Sequence, residues 1–327
     1  MRWGSFLVLF GVLLFAVGVY GASLERADFP SLTSSLKDLK SLDFCGERVP
    51  LGSQEVRERM EKQLILSLWN RPQVMLWLKR SRRYLPHIEK MLRESDMPDD
   101  LKYVAIAESA LRPHAGSRKG AIGFWQFISS TGKMYGLVIN KRIDERRNLF
   151  SSTRAAIRYL TDLHEKFGSW TLAVAAHNMG EEGLRAEILE QETNDYYQLY
   201  LPLETQQFLF RILSVKLIFS DPDKYGFKLS KEDYYPPLEF DEIQVDCSQE
   251  TPIRIVAQAA NTHFKAIKDL NPEIRGHYIA PGSHTILIPK GASASFQARY
   301  QDQANKLSEN QTKRTYVVKQ GDSLSTI

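Results

Sequence analysis

Cysteine is scarce: the 327 residues hold two, Cys45 and Cys247. So sparse a pair excludes a small disulfide-stapled scaffold. If the chain is exported, the two are candidates for a single bond tying the N-terminal arm to the C-terminal part. Two unrelated buried thiols is the other reading. The seven histidines do not cluster with the cysteines at ligand spacing, so no metal centre is expected. Charge of one sign is also in short supply. The formal net charge is +4, and Arg82-Arg83 and Arg146-Arg147 are only short basic pairs that read as solvated helix faces. That excludes the basic stripe of a nucleic-acid-binding protein. Long apolar runs are nearly absent too, the exception being Phe6 to Tyr20. With Arg2 before it and Gly21-Ala22-Ser23 after it, the run reads as a secretory signal over residues 1–22. It falls short of the ~20 residues that a spanning helix needs. No cysteine follows it directly, so lipid attachment is not supported, and membrane or cell-wall association stays open.

What remains is ordinary for a globular protein, with 43% hydrophobic and 25% charged residues. Residues 23–52 are polar and mixed and predict a loosely ordered lead-in. Val56, Met60, Leu64 and Leu68 predict a helix from Gln54 to Trp69, broken at Asn70-Arg71-Pro72. A second helix follows through Val74, Trp77 and Leu78. A third is expected from about Pro86 to Arg93. Trp69, Met75 and Trp77 are read as core. Met97-Pro98-Asp99-Asp100 has the proline and acids of a helix start. Thr131 to Gly136 opens another short helix, and Ile143 to Asn148 reads as a charged loop. Ser151-Ser152 is expected to cap a helix that Gly168 ends. Trp170 to Ala176 is apolar on every side and predicts a fully buried helix that breaks at Gly180.

One stretch carries the chemistry, Tyr103 to Ile128. Leu101, Val104, Ala105 and Glu108 share a helix face through i, i+3, i+4, i+7 spacing. A carboxyl on an apolar face loses hydration, which disfavours its charged form and is how a carboxyl becomes a usable general acid. The bland reading is a helix-end Glu that reaches water or pairs with Arg112. After it come Ser109, the small-residue turn Gly120-Ala121-Ile122-Gly123, and Trp125-Gln126. Trp125 is read as core. Gln126 has an amide suited to an N-acetyl group or, more plainly, to a backbone contact.

The ordered set Glu108-Ser109, Ser117, Gly120 to Gly123, Trp125-Gln126, Ala176-His177-Asn178 with Gly180, and Pro202-Leu203-Glu204-Thr205 resembles the motifs of the family 1 lytic transglycosylases, which carry the SLT domain. Within that family it is similar to the membrane-bound lytic murein transglycosylase D group. The resemblance implies a mainly α chain: a lysozyme-like, goose-type helical catalytic domain over residues 71–232, behind the lead-in and helix of residues 23–70. Residues 240–290, after the Tyr234-Tyr235-Pro236-Pro237 linker, resemble a diverged LysM module. Two strands near Ile243–Val245 and Thr285–Ile288 would flank helices at Pro252–Ala260 and His263–Leu270, giving a small α+β unit. Residues 291–314 read as a linker or a solvated helix. Residues 315–327 resemble the truncated start of a further LysM repeat.

The resemblance implies an exported enzyme of the periplasm or cell envelope acting on peptidoglycan glycan strands, with no metal or organic cofactor and no nucleic-acid partner. Glu108 would be its general acid and then base, cleaving the MurNAc-GlcNAc β-1,4 bond without water to leave 1,6-anhydro-MurNAc ends. Ser109, Ser117, Gln126, His177, Asn178 and Glu204 would contact the substrate. The family usually has tyrosine where this chain has His177, so the resemblance departs there. Tyr196, Tyr197 and Tyr200 could wall the cleft or serve as core and rim. Glu204 has a bland reading as a helix-start carboxylate. Asp144 is the one candidate for a second catalytic carboxylate, and the resemblance gives it a structural role with a nearby arginine. Two rivals remain. A lysozyme- or chitinase-type hydrolase would use Asp144 to guide water. A non-catalytic wall-binding protein would carry a decayed site marked by His177.

Overall fold

The computed structural model describes residues 30–37, 39, 41–312, 320, 322 and 323. The leading apolar run and nearly all of the 315–327 tail lie outside the described residues. Among those described, no helix is long and apolar enough to cross a membrane.

Two cores divide the chain. The larger is helical. After the short α1 (Leu32–Leu36) comes a hairpin of β1 (Asp43–Phe44) and β2 (Glu47–Arg48), then α2 (Gln54–Trp69), α3 (Arg71–Glu94) and α4 (Lys102–Ser109). Next are α5 (Ser129–Met134), α6 (Leu149–Phe167), α7 (Trp170–Met179), α8 (Glu181–Gln191) and α9 (Leu203–Ser220). Residues 41–51 of the stretch expected to be loosely ordered are instead packed, together with Leu39. Leu39, Leu42, Phe44, Val49 and Leu51 are all buried in the helical core. The Glu47 carboxylate accepts from the backbone amides of Trp170 and Thr171 and from Ser169 Oγ. An anion at the first turn of α7 satisfies amides that no intrahelical carbonyl can reach. The lead-in thus fixes where α7 begins.

Pro86 does not start a helix. It lies inside the continuous α3, on the solvent side, between buried Leu85 and Ile88. A proline there forfeits one outward-facing hydrogen bond, while the apolar stripe on both sides holds the helix together. Asn148, not Ser151-Ser152, caps α6: its Oδ1 accepts from the amides of Phe150 and Ser151. Ser152 is buried one turn in. Trp69 is also corrected. It is 78% exposed at the C-terminal end of α2, on the face turned away from α9.

The smaller body pairs β3 (Phe240–Cys247) with β6 (Gly282–Pro289), antiparallel, with Ile243 opposite Ile286. A two-residue pair, β4 (Thr251–Pro252) with β5 (Tyr278–Ile279), closes one end. Helices α10 (Ile253–Ala259) and α11 (Phe264–Leu270) cover it. The stretch read as linker or solvated helix forms α12 (Phe296–Thr312), whose Phe296 and Tyr300 are buried in this second core. Cys45 and Cys247 are both free, the first packed on the large core and the second buried in the small one, so no disulfide joins them.

The small body is clamped to the large one through a loop. The Asp144 amide donates to the Glu273 carbonyl at 2.9 Å, the Arg275 amide donates to the Arg142 carbonyl at 2.7 Å, and Ile143 bridges Ile274. The Glu273 side chain is buried with these contacts, and its Oε2 has no partner among the described residues. Burial pushes its carboxyl from the ordinary 4.5 up to about 7, with the Glu145 charge adding to the rise and Asn148 and Lys268 opposing it. The folded value lies above the unfolded one. Between pH 4.5 and about 7 the unfolded chain therefore releases this proton while the folded chain keeps it, and unfolding free energy falls as pH rises. The window is worth at most about 3 kcal/mol. Urea titrations across it should show Glu273→Gln free of that slope, and identical slopes in both proteins would refute the assignment.

Candidate active site

The site is assembled where α4 stops. Ala110 and Leu111 both adopt left-handed backbone, φ 54° and 56°. Such a conformation costs an L-residue roughly 1–2 kcal/mol, so packing must impose it. Both residues are buried, and Ser109 pins the turn from beneath: its Oγ lies 3.0 Å from the Ala105 carbonyl and 2.9 Å from the Phe124 carbonyl. Ser109, one of the residues expected at the substrate, lies beneath the turn. Its hydroxyl is buried and engaged with main chain, and it fastens the acid helix to the following turn.

That turn depends on one glycine. Gly123 has φ +87°, and a Cβ there would sit 1.7 Å from the Arg146 carbonyl oxygen, so no other residue fits. Gln126 also takes left-handed backbone, φ 49°. Its Nε2 donates to the carbonyls of Gly123 at 2.8 Å and Ala115 at 3.3 Å, so the amide nitrogen is spent on the turn. Trp125 is fully buried, and its Nε1 donates to Thr153 Oγ1 at 3.0 Å. Ser117 is exposed, and its Oγ accepts from the Ala121 amide at 3.1 Å.

Behind the turn stands Arg146. Its Nε and Nη2 donate to the two oxygens of Asp144 at 2.8 and 2.9 Å, and its Nη1 donates to the carbonyls of Gly120 and Phe127. Burial alone would raise the Asp144 carboxyl, but the Arg146 hydrogen bonds and the charges of Arg146 and Arg147 outweigh it and hold the group below the usual carboxylate range. A buried carboxylate with both oxygens engaged is not placed to activate water. The reading of Arg146-Arg147 as a solvated helix face is therefore corrected for Arg146, which is buried with its guanidinium shared between Asp144 and the carbonyls of Gly120 and Phe127; nothing in the local pattern shows those long-range contacts.

Glu108 projects from the last turn of α4 with a side chain 15% exposed. Its Oε1 lies 3.2 Å from Nε2 of His177, delivered by α7, which is buried from Thr171 to Ala176. The His177 ring lies between Phe127, Tyr159 and Phe208, at centroid distances of 6.4, 5.6 and 6.4 Å. Asn178 Oδ1 accepts from Thr205 Oγ1 at 2.9 Å, which ties the end of α7 to the start of α9. Glu204 lies on the surface. Its contact is Lys119, at 3.3 Å and itself mostly exposed, a pair worth little in water. Tyr196 is core, with its hydroxyl shared between the Thr205 and Gln206 carbonyls, while Tyr200 is 82% exposed at the rim. Among the described residues, no group of three or more His, Cys, Asp or Glu is arranged to hold a metal ion.

The arrangement thus offers a single semi-exposed carboxyl, oriented by an imidazole and bordered by a rigid turn. Residues 86–200 match the family model described as Transglycosylase SLT domain, and residues 239–305 match that of the lytic transglycosylase MltD, LysM-like domain. The second match runs on into α12, as the burial of Phe296 and Tyr300 does. The chain is similar to membrane-bound lytic murein transglycosylase D of Escherichia coli (strain K12), 29% identical over 298 residues, covering 87% of this chain and 65% of that protein. It therefore spans about two thirds of the length of that relative. It is also similar to a putative tributyltin chloride resistance protein of Alteromonas sp. (strain M-1), 32% identical over 134 residues, covering 40% of this chain and 64% of that one. The crystal structure of the 70 kDa soluble lytic transglycosylase SLT70 from Escherichia coli superposes with a TM-score of 0.38 at 17% identity, covering 54% of this chain and 32% of that one.

Proposed function

We propose that this chain is a peptidoglycan lytic transglycosylase of the cell envelope, with Glu108 as its one acid–base group. The observation that carries the reading is the lone, partly exposed Glu108 carboxyl held by His177, within a segment that matches the SLT domain. Glu108 protonates the glycosidic oxygen between MurNAc and GlcNAc, and the leaving sugar departs as an alcohol. The carbonyl oxygen of the substrate's own N-acetyl group supports the cation at C1. This route needs no second carboxylate and is a substrate-assisted exception to the usual pair. Glu108, now ionised, takes the proton of the muramic 6-hydroxyl as that oxygen bonds to C1. The products are one GlcNAc end and one 1,6-anhydro-MurNAc end, and Glu108 is protonated again. The small body, by its match to a LysM-like domain, would keep the enzyme on the wall.

Mass analysis of soluble fragments released from purified peptidoglycan tests this. Anhydro-muropeptides are expected. Fragments with ordinary reducing muramic ends, heavier by one water, would move the assignment to a hydrolase. Wall binding without release would leave a binding protein.

A further inference from the structure

We infer that His177 is a positioning residue, fixed as the neutral Nε2–H tautomer, which holds Glu108 so that its working proton sits on the oxygen turned away from the ring. This rests on the reading of Glu108 as the acid. The argument begins at the other end of the imidazole. The His177 side chain is 4% exposed, and its Nδ1 has no hydrogen-bond partner among the described residues. The ring is enclosed by Phe127, Tyr159 and Phe208, the last stacked at an interplanar angle of 20°. A proton on Nδ1 would be a buried donor with no acceptor. An imidazolium would bury that donor together with a charge among aromatic side chains. The Nε2–H tautomer leaves only a lone pair facing the rings, the least costly of the three states.

The consequence falls on Glu108. Nε2–H donates to Oε1 across 3.2 Å whether the carboxyl is protonated or ionised. When Glu108 carries its proton, Oε1 is already the acceptor, so the proton belongs on Oε2. When that proton has gone to the glycosidic oxygen, the same hydrogen bond stabilises the carboxylate. His177 neither gives nor takes a proton in either half of the reaction. The dipole it presents is in place beforehand and does not reorganise between the acid and base steps. A tyrosine hydroxyl at this position could turn about its C–O bond and either donate or accept. The imidazole has no such rotor.

Nitrogen-resolved NMR of the imidazole in the whole protein reads the tautomer, and steady-state turnover of peptidoglycan by His177→Phe and His177→Gln reads the role. Thermal melting serves as the control for folding. The expected spectrum has a pyridine-type Nδ1 and a proton on Nε2. Phenylalanine suits the apolar enclosure and removes the donor, so kcat should fall about 10- to 100-fold, the worth of one hydrogen bond to a charged group, with KM nearly unchanged. Glutamine, whose side-chain amide can donate at a similar reach, should recover much of that loss. A proton on Nδ1 in the wild-type protein would overturn the tautomer. An unchanged kcat in a folded His177→Phe protein would overturn the role while leaving the proposed function standing. No anhydro product from the wild-type protein would overturn the proposed function, and the positioning role with it.

Discussion

Glu108→Gln is expected to lower kcat by about 10²–10⁴-fold, the range that a positioned general acid–base group supplies. Glutamine keeps the length and planarity of the side chain, and its amide oxygen can still accept from His177 Nε2 across the 3.2 Å now spanned by Oε1. What it cannot do is release a proton to the glycosidic oxygen or take one from the 6-hydroxyl, so both halves of the reaction fail together. Since the shape and the hydrogen bond persist, KM and melting temperature should stay close to wild type. That separates the substitution from a general loss of structure. Turnover within tenfold of wild type would remove Glu108 from the chemistry. Asp144 is no ready substitute, because both of its oxygens are engaged by Arg146.

How much of this could be read beforehand differs from element to element, for physical reasons. The helix from Gln54 to Trp69, the helix through the 150s and 160s and the buried Trp170 run were legible because apolar periodicity reflects which face meets a core. Both strands and both helices of the small body were legible as well. The hairpin at Asp43–Arg48 was not. Its buried residues are scattered among polar ones, and its purpose, capping α7 through Glu47, joins segments far apart in the chain. Pro86 misled because a local rule against proline gave way to a long apolar stripe on the opposite face of α3. In the site, residue types in order pointed to Glu108, Gln126 and His177, yet their duties came from three dimensions. Ser109 faces inward. Gln126 spends its amide nitrogen on its own turn, and Glu204 lies on the surface with Lys119. The contact between His177 and Glu108 depends on where α7 crosses the end of α4, which no window of sequence contains.

Breaking the Asp144–Arg146 pair should destabilise the fold strongly. Arg146 is buried, and four of its contacts converge behind the turn: two to Asp144 and one each to the carbonyls of Gly120 and Phe127. Asp144→Ala would leave that guanidinium charged, desolvated and without its carboxylate. Removing one partner of a buried pair typically costs about 3–5 kcal/mol. Arg146→Met would strip the Asp144 carboxylate of its paired hydrogen bonds, with Arg147 3.8 Å away as its remaining cation, and leave two carbonyls unanswered, at a similar cost. Replacing both, as Asp144→Leu with Arg146→Met, removes the stranded charges and should destabilise less than either single change. Activity should not follow stability in that double variant. The carbonyls of Gly120 and Phe127 would still lack their shared donor, the turn that Gly123 presses against the Arg146 backbone would loosen, and Phe127 would no longer hold its edge against the His177 ring. Urea unfolding and turnover, measured on all three variants, separate the two effects. A single Asp144→Ala protein within about 1 kcal/mol of wild type would show that the pair does not hold the turn. A double variant with full activity would show that the turn does not need Arg146 to present Glu108.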